Sequence, residues 1–480
     1  MKAKKKILWI TLSLFFLAVL YLILGALLPY RNGKSISLQF KENFSVDDFY
    51  NKSLSASPDR AAIIESSQEA LDSRLHILNE AKKQIILSTF SMKTDQSSKE
   101  LFSVIYAAAK RGVNVLLLGD ALSCGLDMDD DPMYYALASL PNVEIRFYSP
   151  LNLMKPWTIN ARLHDKYIIV DDTYLILGGR NTSNYFLGEY NQKSLSYDRD
   201  IFVYNTGTNS DIASCIPSTL DYFYSIWDSD SVKPVFTTVK KKNEEAVLAA
   251  AKEFETIYQA LQEARPALFS TVDYYQETVP TNKITLIHNP TNLNVKEPTL
   301  WYQISELMQN ATKRIILQTP YAVLDDAMTA KLQKISSSVP DCTLFINSIA
   351  GGDNFVASSD YVHNQDKVLD TGFSLYEFQG DHSMHNKSLA IDDDLSIIGS
   401  YNLDLRSTYL STECMLVVHG EAFNTLLRNN IDTMLATSLQ VDETGEYLPN
   451  DTVSALPLSK KKARLFPISS IFFQLFRYLI

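Results

Sequence analysis

An uncharged apolar run extends from Ile7 to about Leu28, behind Lys2, Lys4, Lys5 and Lys6. As a helix rising 1.5 Å per residue, ~22 residues reach about 33 Å, enough to cross a bilayer core. The run is longer than the ~7–15 apolar residues of a cleaved signal peptide and lacks a clean A-x-A site, so it predicts a retained anchor. Four lysines precede it and only Arg31 and Lys34 follow closely. The positive-inside rule then puts the N-terminus (1–6) in the cytoplasm and the main body outside, with 7–29 as the span. The polar stretch 30–59 reads as a spacer. At the other end, Lys460, Lys461, Lys462 and Arg464 precede Phe466, Ile468, Ile471 and Phe472. This segment of the tail 441–480 is too short to span. It suits an interfacial segment on anionic lipid or a terminal helix packed on the body.

Between these ends the pattern repeats. Ala81-Lys82-Lys83-Gln84-Ile85-Ile86-Leu87 returns as Ala311-Thr312-Lys313-Arg314-Ile315-Ile316-Leu317. In both copies a helical periodicity runs into a short apolar strand: Leu71–Ala81 into Ile85–Phe90, and Trp301–Ala311 into Ile315–Thr319. Each strand is followed by another helix (Lys99–Lys110; Asp326–Ile335) and another strand (Val113–Leu118; Thr343–Asn347). Strands alternating with helices predict an α/β fold of two similar lobes, 60–239 and 284–440, with mixed or parallel sheets flanked by helices. The intervening 240–283 reads as a helical connection, and its Lys240-Lys241-Lys242 run as a solvated face.

Composition narrows the function. With 46% hydrophobic residues the chain can bury a core, and its formal charge of −11 makes it a poor partner for nucleic acid. Cys124, Cys215, Cys342 and Cys414 are far apart and without C-x-x-C spacing, which argues against zinc and favours buried free thiols over one or two disulfides.

The repeat also carries chemistry. His164-Asp165-Lys166 leads to Asp171 and then Gly178-Gly179-Arg180-Asn181; His385-Asn386-Lys387 leads to Asp392 and then Gly399-Ser400-Tyr401-Asn402. Both read H-x-K-x4-D-x6-G-[GS]-x-N. One copy is modest evidence; two copies with matching glycine and asparagine, inside an independent repeat, are far outside chance. The chain has only seven histidines. His76, His288, His363 and His419 carry no such pattern, and His382 gains interest only from its nearness to His385. On a strand, residues i and i+2 share a side, so each histidine and its lysine are expected to point together. Asp171 and Asp392 fall in hairpin turns between apolar strands, which makes their role structural first and chemical second.

The doubled pattern resembles the phospholipase D superfamily over about residues 60–440, and within it the bacterial cardiolipin synthases. Asn402-Leu403-Asp404-Leu405-Arg406-Ser407 with Glu413 is similar to that group's second motif, and Gly178-Gly179-Arg180-Asn181 with Tyr197-Asp198-Arg199-Asp200 to its first. Ser411-Thr412 departs from the Asn that the group commonly carries near the glutamate. The group also often has two membrane segments where one is visible here. The resemblance implies that both motifs meet at one site between the lobes, with His164, Lys166, Asp171, His385, Lys387 and Asp392 as catalytic residues. It further implies His164 as nucleophile and His385 as acid/base, with Glu413 orienting His385 and Asp200, or Asp198 beside it, orienting His164. Lys166, Lys387, Asn181, Asn402 and the Ser400 hydroxyl would hold the phosphoryl oxygens.

Such a site suits phosphodiester exchange. A neutral imidazole attacks phosphorus while a protonated one serves the leaving alkoxide. Fixed cations supply the charge, so neither metal nor other cofactor is expected. The expected partners are phospholipids and a membrane, with oligomeric state left open. The implied activity is transfer of a phosphatidyl group through a phosphohistidine, such as cardiolipin formation from two phosphatidylglycerols. A phospholipase D that uses water as acceptor would use the same residues. A nuclease of the superfamily fits the acidic, anchored chain less well.

Overall fold

Two mixed sheets lie face to face, each covered by helices on its outer side. The computed structural model describes residues 2–128, 130–191 and 193–480. Among these, the first sheet runs Val279–Pro280, Asp59–Ile64, Asp200–Asn205, Tyr174–Gly178, Tyr167–Val170, Gln84–Thr89, Asn114–Asp120, Val143–Tyr148 and Val232–Pro234. The second runs Lys283–His288, Cys414–His419, Leu395–Gly399, Ser388–Ile391, Arg314–Gln318, Asp341–Asn347, Ser374–Phe378 and Ser438–Gln440. From Asp59–Ile64 and Lys283–His288 onward the order is the same in both. The helix-linked strands pair in parallel, as the alternation predicts. The motif hairpins add antiparallel neighbours on the other side.

Period-two burial explains how the lobes associate. In Gln84–Thr89, Ile85 and Leu87 face the helices while Ile86 faces the other lobe. In Leu395–Gly399, Leu395 and Ile397 face their helices and Ile398 the shared core. That middle core draws Leu163, Ile169 and Leu177 from one lobe and Phe345, Ala390 and Leu416 from the other. Both sheets are therefore apolar on two faces, so their strands read as continuous hydrophobic runs. All four cysteines are buried free thiols.

Two segments depart from the expected partition. Residues 30–59 are not a free spacer, because Phe49 is buried in the second lobe's outer core. Phe44 meets Tyr302 edge-on at 5.4 Å, and the Asn51 amide donates to His419 Nδ1 at 3.0 Å. The connecting helix Glu244–Ala264 lays Val247, Ala250 and Phe254 into the first lobe. The C-terminal helix Lys460–Phe472 packs and protrudes at once: Phe466 stacks on Phe355 at 5.3 Å, while Ile468 and Ile471 are exposed. At the other end the helix Lys2–Leu27 carries exposed apolar side chains. Among the described residues, Lys4–Tyr30 is the one stretch long and apolar enough to cross a membrane, with mean hydropathy 2.7.

The motif aspartates have a structural position. Asp171 (φ 53°) and Asp392 (φ 48°) occupy the left-handed turn of each hairpin, a conformation that Asp tolerates better than most residues. Asp171 accepts the backbone N–H groups of Lys82, Lys83 and Gln84. Asp392 accepts those of Thr312, Lys313 and Arg314. Each pins the helix-to-strand turn of its own lobe, and neither lines the cavity described below. The expectation that they are catalytic is corrected on this ground. Asp392→Ala should lower unfolding stability by about 1–3 kcal/mol, since it removes charge-assisted hydrogen bonds and a residue tolerant of positive φ. Urea denaturation measures this, and Asp392→Asn should lose less.

Candidate active site

Two short backbone bridges cross from lobe to lobe. Leu163 bridges Thr412 in parallel, and Ser383–Met384 pairs in parallel with Ser196–Tyr197. The Thr412 amide donates to Arg162 O at 2.9 Å, and the His385 amide to Tyr197 O at 2.6 Å. The next residue on each side of each bridge is then a histidine opposite an acid of the other lobe. His164 Nδ1 lies 2.7 Å from Glu413 Oε1. His385 Nδ1 lies 2.6 Å from Asp198 Oδ2.

These pairs are crossed relative to the expected ones. Glu413 serves His164, and Asp198 serves His385. Asp200 reaches neither, being held by Arg74 at 2.9 Å and Arg180 at 3.0 Å. The register explains this. Gly178 pairs with Asp200 and Gly399 with Met415, so Asp198 and Glu413 stand at equivalent places two residues before those partners. Each acid leaves its own sheet just before the strand begins and points across the interface.

Both imidazoles line one cavity of about 630 Å³, with Asn181, Asn402, Arg162, Arg406 and Tyr321 among its walls. The histidine side chains keep 17% and 13% exposure, while both acids are fully buried, so each ring presents its Nε2 side to the cavity. Lys166 and Lys387 do not lie on strands. The strands start at Tyr167 and Ser388, and each lysine folds back: Lys166 Nζ donates to His164 O at 2.5 Å, and Lys387 Nζ donates to His385 O and lies 2.7 Å from its Nδ1. Ser400 is absent from the cavity wall, because its hydroxyl donates to Glu413 Oε2 at 2.5 Å. Its expected contact with a phosphoryl oxygen is replaced by a supporting contact to that acid. Asn181 and Asn402 each keep a buried Oδ1 without a partner. His382 packs on Tyr197, 5.4 Å between ring centres.

Electrostatics separate the two halves. Burial, then the charges of Lys166 and Lys387, push His164 well below the usual histidine range. Burial and Lys387 lower His385 too, but Asp198 opposes them. Burial tends to raise Asp198, yet Lys387 and His385 outweigh it and hold the carboxyl at about 2. Burial pushes Glu413 well up, against Lys166 and the hydroxyls of Ser400 and Ser407. Burial lowers Lys166 to about 8 and Lys387 to about 7. His385 thus faces a firmly ionised acid, and His164 does not. The local difference is Gly179 in place of Ser400: a Cβ there would overlap the Asp198 carboxylate.

Sequence reasoning missed Arg162 and Arg406, which line the cavity beside Asp353 and Asp404, with Arg162 ion-paired to Asp120. Arg406 stood in a quoted motif and could have been found; Arg162, two residues before His164, carried no signal. Among the described residues, no three His, Cys, Asp or Glu side chains gather as metal ligands would.

A doubled H-x-K site at the interface of two like lobes defines a phospholipase D-type protein. The family described as "Cardiolipin synthase, PLD-like domain" matches residues 75–213 and 304–435, more than half of the chain, and the protein belongs to it. Cardiolipin synthase C of Escherichia coli (strain K12) is 26% identical over 401 residues, covering 76% of this chain and 82% of the relative. Cardiolipin synthase 1 of Staphylococcus epidermidis (strain ATCC 12228 / FDA PCI 1200) is 26% identical over 390 residues, covering 79% and 67%. The crystal structure of phosphatidylserine synthase from Haemophilus influenzae Rd KW20 shares the fold, with a TM-score of 0.61 at 16% identity over 88% of this chain and 95% of that one.

Asp198→Asn should lower the His385 pKa further, because it removes the anion that favours imidazolium. An NMR pH titration of the histidine ring signals checks the direction, and an unmoved His385 signal would contradict the pairing.

Proposed function

We propose that the protein is a membrane-anchored phosphatidyltransferase that exchanges the head group of one phospholipid for the hydroxyl of another. The reading that fits best is formation of cardiolipin and glycerol from two phosphatidylglycerols. The observation that carries it is the pair of imidazoles on one cavity, each backed by a buried acid from the opposite lobe. The relatives named cardiolipin synthase support the choice of lipid.

Neutral His164 attacks phosphorus through Nε2, with its Nδ1 proton held by Glu413. The P–O bond to the glycerol head group breaks, and protonated His385 gives its Nε2 proton to the departing alkoxide. Ionised Asp198 stabilises that imidazolium, which is why His385 suits the acid and His164 the nucleophile. The second lipid's hydroxyl then loses its proton to His385 and attacks the phosphohistidine, which frees His164. Lys166 and Lys387 set a positive potential behind the rings, and Arg162, Arg406, Asn181 and Asn402 can meet the phosphoryl oxygens. The apolar N-terminal helix supports a membrane location. The lysines before it favour a body outside the cytoplasm.

Detergent-purified protein given phosphatidylglycerol should yield cardiolipin and free glycerol. Phosphatidic acid as the sole product would convert the reading to hydrolysis. His164→Ala and His385→Ala should each lose about 10²–10⁴-fold or more in rate. Mass spectrometry of a quenched reaction should find a phosphatidyl group on His164, and a phosphatidyl group on His385 would reverse the two roles.

A further inference from the structure

The loop that follows Ser149 is unusually apolar for a surface. Leu151, Leu153 and Met154 are 67%, 60% and 78% exposed. They are not scattered singly, which would need no explanation. The loop is joined to the N-terminal helix by three contacts. The Tyr21 hydroxyl donates to Met154 O at 2.8 Å. Asn160 Nδ2 donates to Ala26 O at 2.6 Å. Gly25 lies so close to Pro156 that a Cβ would meet the ring at 2.5 Å.

Tyr21 sits six residues before the helix end at Leu27, about 9 Å along its axis. A bilayer that surrounds this helix therefore reaches the level of Met154. Asn160 is also a wall of the catalytic cavity. Its carbonyl accepts from Arg406 Nη1 at 3.4 Å, and Arg406 Nε donates to Leu479 O at 3.0 Å. The N-terminal helix, the loop and the C-terminal segment thus converge on one side of the cavity. The C-terminal segment, tied to this side through Leu479, carries exposed Ile468, Ile471, Phe472 and Leu475 further back along the chain.

From this geometry we infer that the 151–154 loop and the exposed face of the C-terminal helix insert into the same bilayer leaflet that the N-terminal helix enters, seating the cavity at head-group level. The occupant of this apolar surface is the lipid bilayer. Its continuity with the helix surface and the depth of the Tyr21–Met154 contact are the grounds. Lys155 beside the loop and Lys460, Lys461 and Arg464 on the helix would meet anionic head groups. A phospholipid would then reach the histidines by a short lateral and outward shift, without full extraction into water. The inference rests on the reading of the N-terminal helix as a membrane span, and not on the reaction catalysed.

Because the four native thiols are buried, single exposed cysteines can be labelled with an environment-sensitive fluorophore. Full-length Met154→Cys, Ile471→Cys, Leu17→Cys and Leu248→Cys proteins would be reconstituted in phosphatidylglycerol-containing vesicles with lipids carrying quenchers at defined depths. Labels at 154 and 471 should shift to the blue and be quenched most by shallow quenchers, the label at 17 by deep ones, and the label at 248, on the outer helix of the first lobe, by neither. If 17 is quenched while 154 and 471 behave like 248, the inference is overturned and the span stands. If 17 is not quenched, the span and the inference fall together. Unquenched 154 with quenched 471, or the reverse, overturns the joint insertion. None of these outcomes depends on which phospholipid is transformed.

Discussion

Two cross-lobe backbone bridges hold the chemistry in place. A parallel bridge at Leu163 and Thr412, and another at Met384 and Tyr197, set the register between halves that otherwise touch through side chains. One residue further along each bridge stands a histidine opposite an acid. A slip of one residue would turn the acid to the other side and leave both groups buried and unpaired, which is costly in a low-dielectric interior. Lobe association and active-site assembly are therefore the same event. Neither lobe alone contains a motif histidine with its carboxylate.

That crossing accounts for the concentration of charge between the sheets. Lys166, Lys387, Asp198 and Glu413 are all buried, and none would be stable there by itself. Burial lowers both lysines toward neutrality against the pull of the nearby acids. A bound phosphodiester would add negative charge and favour the protonated lysines.

The near-symmetry is broken where the roles must differ. Ser400 donates to Glu413, while Gly179 at the matching place leaves room for the shorter Asp198 to sit close to its neighbours. Arg199 then crosses the interface to Gln318 and Ser388, both at 2.6 Å. The corresponding place in the second lobe holds Cys414, a shorter side chain whose thiol meets Asp165 across the interface. Small differences around one duplicated motif thus separate the protonation states of two like residues.

Much of this was legible in the chain. The Ala81 and Ala311 repeats, the helix-to-strand alternation and the doubled H-x-K motif announced two α/β lobes and their shared chemistry, because burial periodicity and turn chemistry are local properties. The hairpin place of Asp171 and Asp392 was readable for the same reason. What local pattern could not decide was which acid meets which histidine, whether Ser400 points into the cavity, or that Phe49 in a polar stretch is a core residue of the second lobe. The acid pairing and the place of Phe49 depend on contacts between segments distant in the chain, and the orientation of Ser400 on where Glu413 is held once the lobes dock. Side chains that meet only after the sheets dock leave no periodic trace, so only the tertiary structure determines them.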